Sequence, residues 1–204
     1  MNMLLSLAAA ICGYLAGSWN PAITFSKAIY HKDIRTCGSG NAGFTNFKRT
    51  FGNRYAWWVL ALDLTKGALV TCLFAYLFQN AGNLWSRGAA YTGLFVLLGH
   101  AFPVWYGFRG GKGFLVTLSL LWVMDWRVGL LSTLVMILLL LTTKYMSLST
   151  VVALLISPML LWLTGTDGVS VGIVAVMVVF VALRHTENFK RLRQGTESKF
   201  TFGK

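Results

Sequence analysis

The run VGLLSTLVMILLLLTT, residues 128–143, carries no charge between Arg127 and Lys144. A helix rises 1.5 Å per residue, and about 17–25 apolar residues cross a hydrocarbon core of about 30 Å. At 16 residues the stretch stands at the short edge of that range, and with a flanking residue or two it reads as a membrane-spanning helix. Moving outward from it, six further apolar runs stand at 3–25, 55–78, 89–108, 114–126, 148–164 and 169–183. The expectation is an all-α polytopic membrane protein with seven transmembrane helices, forming a single integral-membrane domain over 1–204. The runs at 114–126 and 169–183 are short, so each needs a thinned bilayer or flanking turns. Composition agrees: 56% of residues are hydrophobic and 12% charged, and mean hydropathy is +0.63. Soluble domains are roughly 45–50% apolar and about 25% charged. A chain of this size has too little interior to hide so much apolar side chain, which excludes a disordered chain and argues against a soluble enzyme.

Charge then orients the chain. It carries 18 Lys and Arg against 6 Asp and Glu. With seven crossings, every basic residue falls on one side except Arg87, Arg127 and Lys66, the last lying within a span. Cytoplasmic loops carry the excess of Lys and Arg, so the amino terminus is expected outside and the tail in the cytoplasm. The first run lacks the basic n-region of a signal peptide and reads as a retained helix. The positive residues lie between apolar runs rather than on one polar face, which points to anionic lipid headgroups and anionic substrates, not nucleic acid. Cys12, Cys37 and Cys72 are odd in number and scattered, so they suggest neither a disulfide framework nor a zinc site. No metal, cofactor or obligate protein partner is indicated.

Three polar, glycine-bearing segments fall on the basic side: 38–49 (GSGNAGFTNFKR), 107–113 (GFRGGKG) and 184–191 (RHTENFKR), joined by 144–149 (KYMSLS). The first matches G-x-G-x-x-G, but no strand pattern precedes it, as a dinucleotide site requires. Its glycines let backbone N–H groups approach an anion; Ser39, Asn41, Thr45 and Asn46 add neutral donors, and Arg49 is able to grip a phosphate through two parallel bonds. The second lacks the Ser or Thr after Lys that a Walker A loop needs, since Gly113 follows Lys112. Its glycines open an apolar helix whose free N–H groups and dipole favour a phosphate. In the third, His185 and Asn188 share a face if the helix runs on past Leu183, and Glu187 is spaced to pair with Arg184 and Arg191. Within the spans, Asp63 and Lys66 stand i, i+3 as a neutralised pair, a structural brace or a pathway marker. His100 either bonds a neighbouring loop or faces substrate.

Taken together, these segments resemble the bacterial acyl-phosphate:glycerol-3-phosphate acyltransferase family. The matching text is Lys32-Asp33-Ile34-Arg35 with GSGNAGFTNFKR, GHAFPVWYGFRGGKG at 99–113 and RHTENFKRLRQGTE at 184–197, in order and spacing over essentially the whole chain. The resemblance implies a seven-span enzyme of the bacterial inner membrane with its site facing the cytoplasm. Such enzymes move a fatty acyl group from acyl phosphate to the sn-1 hydroxyl of glycerol 3-phosphate, releasing lysophosphatidate and phosphate. Phe44 stands where the family usually has alanine, and Phe114-Leu115-Val116 replaces a smaller stretch; both bear on pocket width and acyl-chain preference.

An acyl phosphate is already activated, so no acyl-enzyme is needed, in keeping with the absence of a G-x-S-x-G elbow. The expected arrangement has Gly110, Gly111, Lys112 and Gly113 holding the donor phosphate, with Arg49 and Ser147 on the other and Asn41 and Asn46 nearby. Ser39 and Asn188 position the hydroxyl and the acyl carbonyl. His185 is the expected proton acceptor, its ordinary pKa lying near working pH; a substrate phosphate is the rival base. Ser147 and Ser149 are equally placed to reach the site. The competing class is an organic-anion or phosphate-ester transporter, against which no paired halves are visible.

Overall fold

The computed structural model describes residues 2–201 and 203, and among these there are helices and no strand. Helix α1, Met3–Ser18, is capped by Asn2 and stops before Trp19 and Asn20; α2, Pro21–Tyr30, restarts with Asn20 as N-cap and Pro21 in its first turn. Proline fits there because the first-turn N–H has no helical partner. The expected first span is thus a broken one. Helix α3, Phe44–Phe51, is short; α4, Asn53–Gly82, is the longest, closed by Asn83 in the left-handed conformation (φ 57°). Helix α5, Trp85–Ala101, ends before Pro103, and α6 spans Phe114–Met124. Helix α7, Trp126–Thr143, is capped by the Asp125 carboxylate, which accepts from Arg127 N at 2.9 Å. The run at 148–164 becomes α8, Met146–Leu155, and α9, Ser157–Leu163. They part at Ile156, ahead of Pro158, which has no N–H to continue the ladder. Helix α10, Gly168–Leu183, is followed by α11, Thr186–Arg193, bent from it by 51°.

Five segments are long and apolar enough to cross a membrane: Met3–Tyr30, Asn53–Gly82, Trp85–Tyr106, Trp126–Thr143 and Met146–Leu163. The bent pair α10–α11 is a sixth if it is counted as one broken span, and α6 is a shorter apolar helix. Outward faces are apolar: on α7, Leu131, Leu134, Leu138 and Leu141 are exposed, as are Val176 and Val179 on α10. In lipid these side chains meet a matching solvent, while the helices satisfy most of their own backbone and the break after α1 is met by Lys66, which donates to Gly17 O and Trp19 O.

The inner faces pack through small residues. A Cβ on Gly17 of α1 would lie 2.2 Å from Val96 O of α5, and one on Gly99 would lie 2.1 Å from Tyr14 O, so the two backbones touch, as small residues permit in membranes. The main core joins α5, α6 and α10 through Leu97, Leu120, Leu121, Met177 and Val181. A second cluster, built on Ile23, Ile34, Phe47 and Val59, lies under the first glycine loop. Helix α6 packs against both α4 and α7.

Candidate active site

The first glycine loop is folded around Asn46. Its side-chain amide donates to Ile34 O (3.3 Å), Cys37 O (3.0 Å) and Asn41 O (3.0 Å), while Oδ1 accepts from Ser39 N at 2.9 Å. Asn46 thus shapes the turn that presents Ser39 and Asn41, and it also lines the cavity described below. Arg35, gripped by Asp33 (2.7 Å), donates to Tyr106 O and to Arg109 O at 3.2 Å, tying this loop to the second.

In the second loop, Gly110 N donates to Ala101 O (3.0 Å) and Gly111 N to His100 O (3.1 Å). A Cβ on Gly110 would fall 2.0 Å from His100 O, and one on Gly111 2.2 Å from His100 Nε2. These glycines are there for close approach to the end of α5, and the expectation that their N–H groups hold a phosphate is corrected: both already have carbonyl partners. Arg184 Nη2 donates to Gly111 O at 2.9 Å from the other side. Lys112 and Gly113 do face the cavity described below. Gly113, at φ +94°, caps α6 without a side-chain bond, leaving that helix's first N–H groups free for an anion.

The third segment does not continue α10. The chain turns at Arg184, and His185 becomes the N-cap of α11. His185 Nδ1 lies 2.8 Å from Val181 O; a carbonyl only accepts, so Nδ1 carries the proton and Nε2 keeps its lone pair. Lys112 Nζ donates to Asn188 Oδ1. Asn188 Nδ2 (2.6 Å) and Ser147 Oγ (2.9 Å) donate to Glu197 Oε1, and Arg191 Nε to Oε2 at 2.8 Å. The expected pairing of Glu187 with Arg184 and Arg191 is corrected: Glu187 is exposed and pairs with Lys190 at 2.7 Å. Glu197, given no role from sequence, is the hub. It lies beyond α11 and returns through Gly195 at φ +70°, so no helical spacing connects it to Asn188; the one available signal was its place at the end of the matched third stretch. Ser149 bonds its own helix at Tyr145 O, whereas Ser147 faces the cavity.

All of this surrounds one cavity of about 510 Å³. Its polar end is lined by Ser39, Asn41, Arg49, Lys112, Ser147, His185 and Asn188. Arg49 is exposed and makes no hydrogen bond or ion pair among the described residues. The other end is apolar, with Leu60 and Leu64 of α4, Leu115 and Leu118 of α6, and Met136, Ile137 and Leu140 of α7. Phe44 narrows one wall, its ring centroid 5.3 Å from that of Trp57 and 6.2 Å from that of Phe200. Among the described residues no three His, Cys, Asp or Glu side chains converge as metal ligands.

Burial, with the Arg191 and Arg184 charges against it, pulls Lys112 down to about 8, Glu197 opposing. Burial and the Lys112 charge pull His185 down to about 4, well below the value expected from sequence. Burial pushes the Glu197 carboxyl up, but bonds from Asn188, Arg191 and Ser147 outweigh it and hold the pKa low.

Residues 7–195 match the family model described as glycerol-3-phosphate acyltransferase. The chain belongs to the glycerol-3-phosphate acyltransferase family. It is 37% identical over 199 residues to glycerol-3-phosphate acyltransferase 1 of Rhizobium johnstonii, covering 98% of this chain and 93% of that relative. It is 37% identical over 193 residues to the Brucella canis glycerol-3-phosphate acyltransferase, covering 95% and 92%. Among solved structures it is similar to PlsY (YgiH), an integral membrane glycerol 3-phosphate acyltransferase, in its glycerol 3-phosphate form. That match has a TM-score of 0.88 and 32% identity, over 96% of each chain. The lysophosphatidic acid form of PlsY matches with a TM-score of 0.84 and 31% identity, over 96% of this chain and 95% of that one. This member of the acyltransferase family is an integral membrane protein.

Proposed function

We propose that this acyltransferase moves a fatty acyl group from acyl phosphate to the sn-1 hydroxyl of glycerol 3-phosphate, at the cytoplasmic face of a bacterial inner membrane. The observation that carries the reading is a cavity with a cationic end and an apolar end: it suits an acyl chain, its phosphate and a second small phosphate ester. Lys112, with the uncapped start of α6 and Gly113, takes the donor phosphate; Arg49 and Ser147 take the acceptor's. Ser39 and Asn188 position the hydroxyl and the carbonyl, and Asn41 lines the acceptor side. The acyl tail enters sideways from lipid between α4 and α7. Seven crossings, with α6 as the short one, put the amino terminus outside.

The hydroxyl oxygen bonds to the acyl carbon as the acyl carbon–oxygen bond to phosphorus is broken, and inorganic phosphate leaves with that oxygen. The hydroxyl proton passes to His185 Nε2 or to a phosphate oxygen. His185 is neutral at working pH, and substrate anions beside it raise its basicity. Direct transfer is favoured because an acyl phosphate is already an activated anhydride, and among the described residues no histidine is hydrogen-bonded to Ser39 or Ser147 to activate either as a nucleophile. Positioning and charge neutralisation supply the acceleration.

The test is the purified protein in detergent with palmitoyl phosphate and glycerol 3-phosphate, without CoA or metal. Stoichiometric lysophosphatidate and phosphate are expected. Uptake of glycerol 3-phosphate into liposomes without product would replace this reading with a transporter.

A further inference from the structure

His100 lines the cavity but has no part in the reaction just proposed. It is 4% exposed, and its surroundings decide which ring nitrogen carries the proton. Lys66 Nζ lies 2.6 Å from Trp19 O, 3.3 Å from Gly17 O and 2.8 Å from Asp63 Oδ1, and 3.1 Å from His100 Nδ1. An ammonium is a donor only, so Nδ1 accepts from it. The Asp63 oxygen, at 3.5 Å from Nδ1, is the more distant neighbour. A neutral imidazole that accepts at Nδ1 holds its proton on Nε2. That Nε2 lies beneath Gly111, where a Cβ would come within 2.2 Å of it, and it has no hydrogen-bond partner among the described residues.

The second cavity histidine is arranged the opposite way. His185 donates from Nδ1 to Val181 O and keeps a lone pair on Nε2. One cavity thus holds an imidazole that accepts and an imidazole that donates, each fixed by a different neighbour. We infer that His100 Nε2–H is a further substrate-contacting donor, to an oxyanion held beside Lys112, and that the Lys66 ammonium, itself held by Asp63, imposes its donor tautomer. The inference deepens the proposed function and rests on it for the identity of the oxyanion. The Gly111 position reads accordingly: a side chain there would cover the donor.

Long-range proton–nitrogen spectra of the histidine-labelled protein in micelles test this without requiring turnover. The chain has 3 histidines, and the His100→Gln spectrum assigns His100. The expected result is an Nε2–H signal from His100, an Nδ1–H signal from His185, and a shift of the His100 Nε2 signal on titrating inorganic phosphate or glycerol 3-phosphate. A proton on His100 Nδ1, or no shift with either anion, overturns the inference. Kinetics sharpen it. Removing one buried oxyanion donor typically costs about 10²–10³-fold, so His100→Ala is expected to lose about 10²-fold, while His100→Gln, which keeps an N–H near the Nε2 position, recovers to within about tenfold of wild type. Equal loss in both, or none in His100→Ala at equal folded content, overturns it. A rise in KM for acyl phosphate places the contact on the donor phosphate, a rise for glycerol 3-phosphate on the acceptor, and a fall in kcat alone on the carbonyl oxygen. An inactive wild type would refute the proposed function and leave the spectra to decide this point.

Discussion

The two ends of the bundle treat their arginines differently. At the Asp125 end, Arg127 pairs with Asp125 (2.7 Å) and Arg87 with Asp167 (2.9 Å). Each cation there has its own carboxylate, and both aspartates also cap helices. At the Lys112 end, cations outnumber carboxylates. Glu197 holds Arg191, Glu187 holds Lys190, and Asp33 holds Arg35 and Lys27, while Arg49 is unpaired among the described residues and Lys112 meets an amide oxygen. A closed end stabilises the bundle; an end with cations in surplus is suited to anions from outside. The buried Asp63–Lys66–His100 group lies between the two regimes: Lys66 is held by two backbone carbonyls and pairs with Asp63, while Asp63 Oδ1 has no hydrogen bond beyond that ion pair among the described residues.

Breaking that buried group should have the largest consequence. Lys66→Ala leaves Asp63 uncompensated inside the spans, and removing one partner of a buried pair costs about 3–5 kcal/mol. Thermal unfolding in detergent should show a large loss of midpoint or of monodisperse protein; an unchanged midpoint would remove the brace from the account. Next come the surplus cations. Lys112→Ala and Arg49→Ala should each lower kcat/KM by on the order of 10²–10³-fold, the range for losing a group that stabilises developing charge, with unfolding hardly altered. Wild-type kinetics in both would refute the anion-receiving end.

A third effect is set by pH. His185 titrates at about 4 when folded against 6.5 in the unfolded chain. Between those values the unfolded state binds more protons, so stability falls as pH drops from about 6.5 toward 4 and is fully present above. His185→Gln, which does not titrate, should flatten the stability profile in that window; an unchanged slope shows that the histidine is not the responsible group. The smallest effect belongs to the closed end. Arg87→Gln removes a half-exposed ion pair worth less than about 1 kcal/mol, and acyl transfer should match wild type in the same assay that detects Lys112→Ala.

How much of this was legible depends on the range of the interaction involved. The α7 run was legible because an uncharged stretch of that length has few alternatives, and its observed bounds differ from the expected ones by only a few residues. Breaks were less legible: Asn20-Pro21 and Ser157-Pro158 were read through as continuous helix, although each carries a local signal. The glycines of 107–113 were recognised as important, but the partners of Gly110 and Gly111 within the protein were not. The N–H groups of Gly110 and Gly111 are taken by the Ala101 and His100 carbonyls, which are the unsatisfied end of α5, and only the packing of that end against the loop reveals it. The loop-shaping part of Asn46 was hidden for the same reason, since its amide meets three carbonyls from the chain before it. Glu197 was passed over because the turn at Gly195 carries it back across the site, and nothing periodic links it to Ser147.

By itself, the sequence determined that this chain is helical, apolar on its outside and basic at one set of loop ends, because hydrocarbon tolerates no unpaired backbone and few charges. Those constraints act residue by residue and are readable in one dimension. The tertiary structure decided which donors remain open to a ligand and which are already engaged. It also decided that two histidines of the same cavity hold their protons on opposite nitrogens. Such choices depend on a carbonyl or an ammonium within about 3 Å that comes from another helix or another turn, and hydrogen bonding at that distance leaves no periodic trace along the chain.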